Sequence, residues 1–190
     1  GNPTHDSIDG WRASGVPGTV RGFELAHSKY GHKKWAELVA PAVELANKGF
    51  PLAPRAAESL RGAQNLAQDP ESKRIFLKSG AFFGAGDKLV QPELAATLKR
   101  IAATGSRDFY QGETAKRLAA EMAKHGGIIS TTDLKNYKAI ERTPLQGNYK
   151  NFTVITAPPS SSGGITLLEM LGMLEGTGYE KGGFGSASAI

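Results

Sequence analysis

The sequence predicts a mostly α-helical chain with a small β portion near its C-terminal end. Residues 1–142 hold segments whose apolar residues recur every three or four positions, and glycines and prolines separate these segments. Alternating apolar residues first appear after residue 143. The chain has 190 residues and no Cys, and this length is enough to bury a core without disulfides. We therefore expect residues 1–190 to form a single domain.

The N-terminal part of the chain predicts an entry loop followed by helices. Residues 1–10 are polar and rich in turn formers. Apolar residues then recur at helical spacing over 17–30, and Gly31 is predicted to end this helix. The segment 35–46 has the same spacing, but Pro41 in its middle lacks the backbone N–H that a helix interior needs. We therefore predict two short helices there, the second beginning at Pro41.

Proline also marks the start of the next two predicted helices. One opens at Pro54, and a shorter one occupies residues 70–76, with Asp69 as its cap. The segment 78–90 contains several glycines between apolar residues. It predicts a loop or a small hairpin.

Two helices are more strongly patterned, over residues 92–105 and 113–125. The first starts at a proline and stops at a glycine. Its predicted buried stripe consists of Leu94, Leu98, Ile101 and Ala102. After the second helix, Ser130 and Asp133 have the spacing of a capping box, which predicts a further short helix.

The final part, residues 143–190, predicts a hairpin, a turn and an apolar helix. The strands are Leu145–Tyr149 and Phe152–Thr156, joined by two residues. The turn is the run Pro-Pro-Ser-Ser-Ser-Gly-Gly at 158–164, and apolar residues follow it through Leu174. Because a lone hairpin is marginal in water, we expect further strands outside this chain.

Composition and motif spacing exclude several classes of function. The net charge is +5, but the basic residues are scattered and form no cluster for tracking nucleic-acid phosphates, so we expect no nucleic-acid partner. No apolar run reaches the length of a membrane span. The four histidines lack zinc-site spacing, and the sequence contains neither a phosphate-binding P-loop nor a G-x-S-x-G nucleophile elbow. We therefore expect no metal and no cofactor.

The candidate site is the turn before the last helix. A strand followed by Ser161, Ser162, Gly163 and Gly164 and then a helix presents backbone N–H groups and the positive end of the helix dipole. Such an arrangement binds an anion or a carbonyl oxygen. A structural alternative remains open, in which a serine caps the helix and the glycines let the backbone approach a neighbouring strand.

Several motifs in one order resemble the gamma-glutamyltransferase family, also called glutathione hydrolase. The resemblance is carried by segments 14–23, 41–51, 91–95, 109–112, 126–129, 133–137, 142–145 and 158–164. Ser160 departs from the pattern, since many members have a third proline there. Together the segments cover nearly the whole chain.

The resemblance implies part of an N-terminal-nucleophile hydrolase, namely a helical lobe and a piece of its layered αββα sandwich. The single domain would then be incomplete and would belong to the large subunit of a self-cleaving precursor. The nucleophilic threonine would lie in the partner small subunit, so no catalytic residue falls in this chain. The implied substrate is a small gamma-glutamyl amide, no cofactor is needed, and the implied location is periplasmic or secreted.

Three alternatives accompany this interpretation. A related acylase or a capsule transpeptidase of the same fold would act on another acyl group. A binding module could retain the helical lobe without catalysis. In a third alternative, the chain is a helical domain whose serine-glycine turn is purely structural.

Overall fold

The structure, a computed structural model, describes residues 5–183 and 185–187. It divides into two compact units, Gly1–Ala139 and Ile140–Ile190. The first unit is mainly helical, and the second holds a hairpin and one long helix. The predicted fold class, mostly α with a small β portion, is confirmed. The prediction of a single domain over the whole chain stays a prediction.

The first unit contains eight α-helices in its described part. They are α1 (Thr19–Tyr30), α2 (Trp35–Lys48), α3 (Pro54–Gly62), α4 (Pro70–Phe76), α5 (Pro92–Thr104), α6 (Arg107–Gln111), α7 (Glu113–Lys124) and α8 (Thr131–Asn136). Short 3-10 helices add Trp11–Ala13 and Gln64–Ala67. Residues 5–10 of the predicted entry loop form turns and bends, and residues 1–4 lie outside the described residues.

Helix α2 corrects the prediction of two short helices, because it continues through Pro41. An interior proline removes one backbone hydrogen bond and costs about 3 kcal/mol. Packing offsets this cost, since α2 lies along α5 and the Trp35 indole N–H donates to the Ile101 carbonyl at 2.8 Å. Tertiary contacts therefore outweigh the tendency of Pro41 to break the helix.

Helix α5 packs a slightly different face than predicted. Ile101 of the predicted stripe is buried, but Leu94 is substantially exposed and Ala95 is buried instead. Ala95, Leu98 and Ile101 recur every three residues, so they still form one apolar face.

Short strands join distant parts of the first unit. β1 (Phe50–Pro51) pairs antiparallel with β4 (Lys88–Leu89), and β2 (Leu77–Lys78) pairs with β3 (Ala81–Phe82). For the segment 78–90 a loop or a small hairpin was predicted, and the second pair shows a small hairpin that begins one residue earlier, at Leu77. The first pair was not predicted, because two-residue strands 38 positions apart leave no periodic pattern.

The best-buried cluster lies where α6, α7 and α8 meet. It consists of Tyr110, Ala115, Met122, Ile129 and Leu134. The Tyr110 hydroxyl donates to the Pro17 carbonyl at 2.6 Å and accepts from the Arg21 backbone N–H at 3.2 Å. One buried ring thereby ties the start of α1 to a helix about 90 residues later.

Asp108 organises the junction between α6 and α7. Its carboxylate accepts hydrogen bonds from the Glu113 N–H at 3.0 Å, the Arg100 Nε at 3.0 Å and the Thr114 hydroxyl at 2.5 Å. Burial raises the pKa of Asp108, but these three donors outweigh it and hold the pKa below its usual value. The folded state therefore prefers the ionised carboxylate.

This network predicts a loss of stability in acid. A carboxyl whose pKa is depressed by folding contributes stability above its ordinary pKa of 3.8, and that contribution falls as the pH drops from there towards the folded value. We expect Asp108→Asn to lower the free energy of unfolding at pH 7 by about 1–3 kcal/mol, because it weakens charged hydrogen bonds. The difference from the wild type should shrink below about pH 4.

Urea unfolding at pH 7, 5 and 3 measures both effects. Asp9→Asn is the control, since the exposed Asp9 side chain has no hydrogen bond or ion pair among the described residues. An Asp108→Asn deficit that stays constant down to pH 3 would contradict the role of the ionised carboxylate.

The second unit contains β5 (Leu145–Tyr149), β6 (Phe152–Thr156) and α9 (Gly163–Leu174), followed by a 3-10 helix at Tyr179–Gly182. The two strands form an antiparallel hairpin in which Leu145 faces Thr156 and Tyr149 faces Phe152. This matches the predicted hairpin residue for residue. Helix α9 packs on β5, where the Leu168 side chain lies directly over Gly147.

Candidate functional site

The turn that joins β6 to α9 has the predicted strand-turn-helix form. The Ser161 N–H donates to the Pro158 carbonyl at 3.2 Å, which closes the turn. The Ser162 carbonyl then accepts from the Thr166 N–H at 3.0 Å and begins the helical pattern. The peptide bond between Pro159 and Ser160 is cis. The four predicted site residues, 161–164, are therefore brought together at the first turn of α9.

Gly164 is the buried residue of this turn. A Cβ atom at this position would overlap the Ala157 carbonyl oxygen and lie 2.9 Å from the Thr156 hydroxyl oxygen. Gly163 is different, because its nearest neighbour would be the Ser161 hydroxyl oxygen at 3.8 Å. The proposed close approach of backbone to strand is confirmed for Gly164 alone.

The serines do not act as a side-chain cap. Ser162 occupies the N-cap position, but neither its hydroxyl nor that of Ser161 accepts a hydrogen bond from the helix in the described part of the chain. The reason lies in the backbone, since Ser162 already has helical angles, φ −78° and ψ −25°. A side-chain cap normally needs extended angles at this position. Both serines are exposed, so their hydroxyls remain available to another molecule.

The first N–H groups of α9 are the donors of the candidate site. Within residues 5–183 and 185–187, the N–H groups of Gly163, Gly164 and Ile165 have no hydrogen-bond acceptor. Free N–H groups at a helix start carry partial positive charge. Chemically, this arrangement favours a carboxylate or a carbonyl oxygen that develops negative charge.

The helix that carries these donors is apolar on more than one side. Leu168 packs on the hairpin, whereas five large apolar side chains are substantially exposed. They are Ile165, Leu167, Met170, Met173 and Leu174. A helix that is apolar around much of its circumference is typically buried on several sides.

A pair of tyrosines that was not predicted lies at the loop end of the hairpin. The Tyr149 and Tyr179 hydroxyl oxygens are 2.7 Å apart, and the Lys150 ammonium lies 5.5 Å and 5.0 Å from the two ring centres. The hydrogen bond to Tyr179 and desolvation raise the pKa of Tyr149 to about 12. The pair fixes the segment after α9 to the strands, and no local pattern indicates it because the partners are 30 residues apart.

The described residues contain no group of three or more His, Asp or Glu side chains arranged to hold a metal ion. Two of the histidines have structural contacts. The His27 Nε2 lies 2.7 Å from the Lys33 carbonyl oxygen, and the His125 ring stacks on Trp11 at 4.5 Å. None of the helices in this part of the chain has the length and apolar character needed to cross a membrane.

Comparison with known proteins identifies relatives along the whole chain. A protein-family model described as Gamma-glutamyltranspeptidase matches residues 1–190. The glutathione hydrolase proenzyme of Escherichia coli is 45% identical over 193 residues, which cover 100% of this chain and 33% of that protein. An acylase ACY 1 proenzyme of a Pseudomonas strain is 36% identical and covers 97% of this chain and 33% of its own length.

A solved structure agrees with these matches. The gamma-glutamyltranspeptidase of Helicobacter pylori superimposes with a TM-score of 0.91 at 38% identity, covering 96% of this chain and 53% of that chain. This chain spans about a third of the length of the curated relatives it matches.

Proposed function

Because this chain belongs to the gamma-glutamyltranspeptidase family, we propose that it is part of the large subunit of a glutathione hydrolase. The parent protein would cleave gamma-glutamyl amides and transfer the glutamyl group to water or to an amine. The observation that carries this proposal is the family match over residues 1–190 together with 45% identity to a glutathione hydrolase proenzyme.

The proposed chemistry is acyl transfer by a threonine outside this chain. The threonine hydroxyl attacks the amide carbonyl, its proton passes to the terminal amine of the same threonine, and the leaving amine takes a proton as the C–N bond breaks. Water or an acceptor amine then attacks the glutamyl ester and releases the threonine. No residue of this chain forms a covalent bond to substrate in this scheme.

The chain would contribute a binding surface through residues 161–164. The support is the set of free N–H groups at 163–165 and the exposed hydroxyls of Ser161 and Ser162. Their positive electrostatic character suits a substrate carboxylate or a carbonyl oxygen. Gly164 would set the position of these donors against β6.

The proposed partner is a small subunit made from the same precursor, which carries the threonine. The proenzyme name of the Escherichia coli relative supports such processing. By family resemblance the protein would be periplasmic or secreted, with a small gamma-glutamyl molecule as substrate and no nucleic-acid partner.

A second candidate is an acylase that acts on a different acyl group. The observation that favours this candidate is the 36% identity to an acylase proenzyme over 97% of this chain. A capsule transpeptidase of the same fold would be distinguished by its acceptor. A non-catalytic module would lack a Thr-Thr-His-type segment in the sequence after Ile190.

Turnover with a gamma-glutamyl anilide tests the proposal directly. We expect the parent protein to release the aniline and purified residues 1–190 to release none, since the nucleophile lies elsewhere. The parent with its nucleophilic threonine changed to alanine is the control. Saturable release by residues 1–190 alone, or silence of the processed parent, would contradict the proposal.

Serine substitutions test the role of the turn. In the parent protein we expect Ser161→Ala and Ser162→Ala each to raise KM by about 2- to 10-fold, the equivalent of one hydrogen bond to substrate. The free energy of unfolding should stay within about 0.5 kcal/mol, because the described residues make no hydrogen bond to either hydroxyl. Ser160→Ala is the matched control, and an unchanged KM in all three variants would favour a purely structural turn.

A further inference from the structure

Residues 5–13 are attached to the first unit through a stack of two aromatic rings. The Trp11 indole lies on the His125 imidazole, with the ring centres 4.5 Å apart and the planes 9° from parallel. A Cβ atom at Gly127 would lie 3.2 Å from the Trp11 carbonyl oxygen, so the backbone is close there as well. Within residues 5–183 and 185–187, no hydrogen bond or ion pair joins residues 5–13 to another part of the chain. The position of this segment therefore depends on the Trp11–His125 stack.

The surroundings of His125 favour a positive charge on its ring. His125 follows the last residue of α7, where the unpaired carbonyl groups carry partial negative charge. Its Nε2 atom lies 3.3 Å from a Glu121 carboxylate oxygen. The Ser72 N–H lowers the pKa of Asp69, and the charge of a protonated His125 lowers it further, so this second carboxylate also interacts with the ring. Lys124 opposes them, because its ammonium lies 3.4 Å from the same Glu121 oxygen.

The docked segment adds further negative charge. Residues 5–13 contain Asp6, Asp9 and Arg12 besides His5. With His5 neutral, one cation and two carboxylates give the segment a net charge of −1. Arg12 is paired with Asp6 at 3.5 Å, which leaves the charge of Asp9 uncompensated within the segment. A positively charged His125 therefore suits this segment better than a neutral one.

Protonation of His125 also strengthens the stack itself. Histidine is the side chain that ordinarily changes charge between pH 5 and 8. A cation over the face of an indole gains an electrostatic attraction that a neutral ring lacks, and Trp is the strongest aromatic partner. The His125 side chain is 41% exposed, and at such a site the gain corresponds to a factor of about 2–5 in an equilibrium constant. The gain is present while the ring is protonated and is lost as the pH rises and the proton leaves.

We propose that His125 is a pH-sensitive contact that docks residues 5–13 more tightly in mildly acidic than in neutral or alkaline solution. Loss of the proton leaves only the apolar stacking, so the segment detaches more often. The chain just after it stays in place at either pH, because the Tyr110 hydroxyl donates to the Pro17 carbonyl at 2.6 Å. None of these residues belongs to the turn at 161–164, so the proposal is independent of the proposed function.

Native-state proteolysis of the parent protein measures how often the segment detaches. Trypsin cleaves after Arg12 only when the surrounding backbone opens, and the rate then follows the population of the open form. A synthetic peptide of residues 5–20 in the same reaction corrects for the effect of pH on trypsin. We expect the cleavage rate at Arg12, divided by that of the peptide, to be about 2–5 times higher at pH 8.0 than at pH 5.5. Mass spectrometry quantifies both products.

Three variants isolate the contribution of the His125 ring. His125→Phe keeps a planar aromatic ring that cannot gain a charge, so its rate ratio should be equal at the two pH values. Trp11→Leu removes the other ring, so its ratio should rise at pH 5.5 and lose its pH dependence. His5→Gln is the matched control, because it removes a histidine from the same segment and leaves both stacked rings in place. It should retain the pH dependence of the wild type.

Three results would overturn the proposal. A wild-type ratio that is equal at the two pH values, or higher at pH 5.5, would show that protonation does not tighten the docking. A pH dependence that persists in His125→Phe would assign it to another group, and its loss in His5→Gln would assign it to His5. Because proteolysis does not depend on turnover, the anilide assay tests the proposed function separately.

Discussion

Replacing Gly164 with alanine should destabilise the second unit by about 3 kcal/mol, because the new Cβ atom has no space. It would overlap the Ala157 carbonyl oxygen and approach the Thr156 Cγ2 to 3.0 Å. The clash partner is backbone rather than the flexible end of a side chain, so either β6 or the start of α9 must move. Urea unfolding of the parent protein, followed by the fluorescence of an introduced probe on α9, measures the loss.

Gly163→Ala is the matched control for this prediction. Its nearest neighbour would be 3.8 Å away, an ordinary contact, and alanine favours a helix over glycine. We expect a neutral or slightly stabilising effect. If the proposed binding role is correct, turnover of the gamma-glutamyl anilide should fall in Gly164→Ala and remain in Gly163→Ala. Equal behaviour of the two variants would contradict the close packing at residue 164.

The second large effect is expected at Tyr110, which has no exposed surface. Tyr110→Ala should cost about 3–5 kcal/mol, since it leaves a cavity in the central cluster of the first unit. It also removes the ring that stacks on Tyr137 and lies under the Arg21 guanidinium, whose central carbon is 4.6 Å from the ring centre. Chemical denaturation measures the total.

Tyr110→Phe separates the hydroxyl from the ring. We expect a loss of about 1–3 kcal/mol, because the Pro17 carbonyl and the Arg21 N–H lose their partner in a part-buried site. Tyr137→Phe is the control, since that hydroxyl makes no hydrogen bond to the described residues and should change stability by less than about 0.5 kcal/mol. A Tyr110→Phe variant as stable as the control would contradict the role of the hydroxyl.

Sequence patterns predicted the helices and strands that are determined by residues close together in the chain. Helices α5 and α7 begin and end within one or two residues of the predicted positions, because glycines and a proline bound strong helical periods. The predicted capping box is confirmed in full, with the Ser130 hydroxyl bound to the Asp133 N–H and the Asp133 carboxylate bound to the Ser130 N–H. The two strands of the hairpin were predicted with their observed bounds, because alternating apolar residues flank a loop of only two residues.

Other elements depend on distant partners and were missed or wrong. Helix α6 has five residues, too few for a period, and it exists because Asp108 and Tyr110 are bound by other elements. The break predicted at Pro41 was wrong because packing on α5 outweighs the lost hydrogen bond. The spacing of residues in the sequence indicates neither the partners of α6 nor the packing of α2 on α5.

The turn before α9 was predicted, but the packing of its individual residues was not. The composition of residues 158–164 located the turn, since proline, serine and glycine break a strand and favour a turn before the next helix. The sequence could not indicate which glycine packs against β6 and which remains exposed. Gly163 and Gly164 are the same residue type and differ only in the atoms beside them. The backbone angles of Ser162 decide against a side-chain cap, and they follow from the turn as a whole.

The two-stranded hairpin also determines how the isolated chain should behave at high concentration. In the described structure, β5 and β6 pair only with each other, so each strand keeps one edge of unpaired backbone groups. Strand β6 reads Phe-Thr-Val-Ile-Thr, without charge, proline or glycine, and its Phe152 and Ile155 side chains are largely exposed. Such a strand is a template for intermolecular cross-β stacking, and Lys150 is the single cation in the loop that precedes it. The solubility of purified residues 1–190 should therefore be limited by fibril formation through β6.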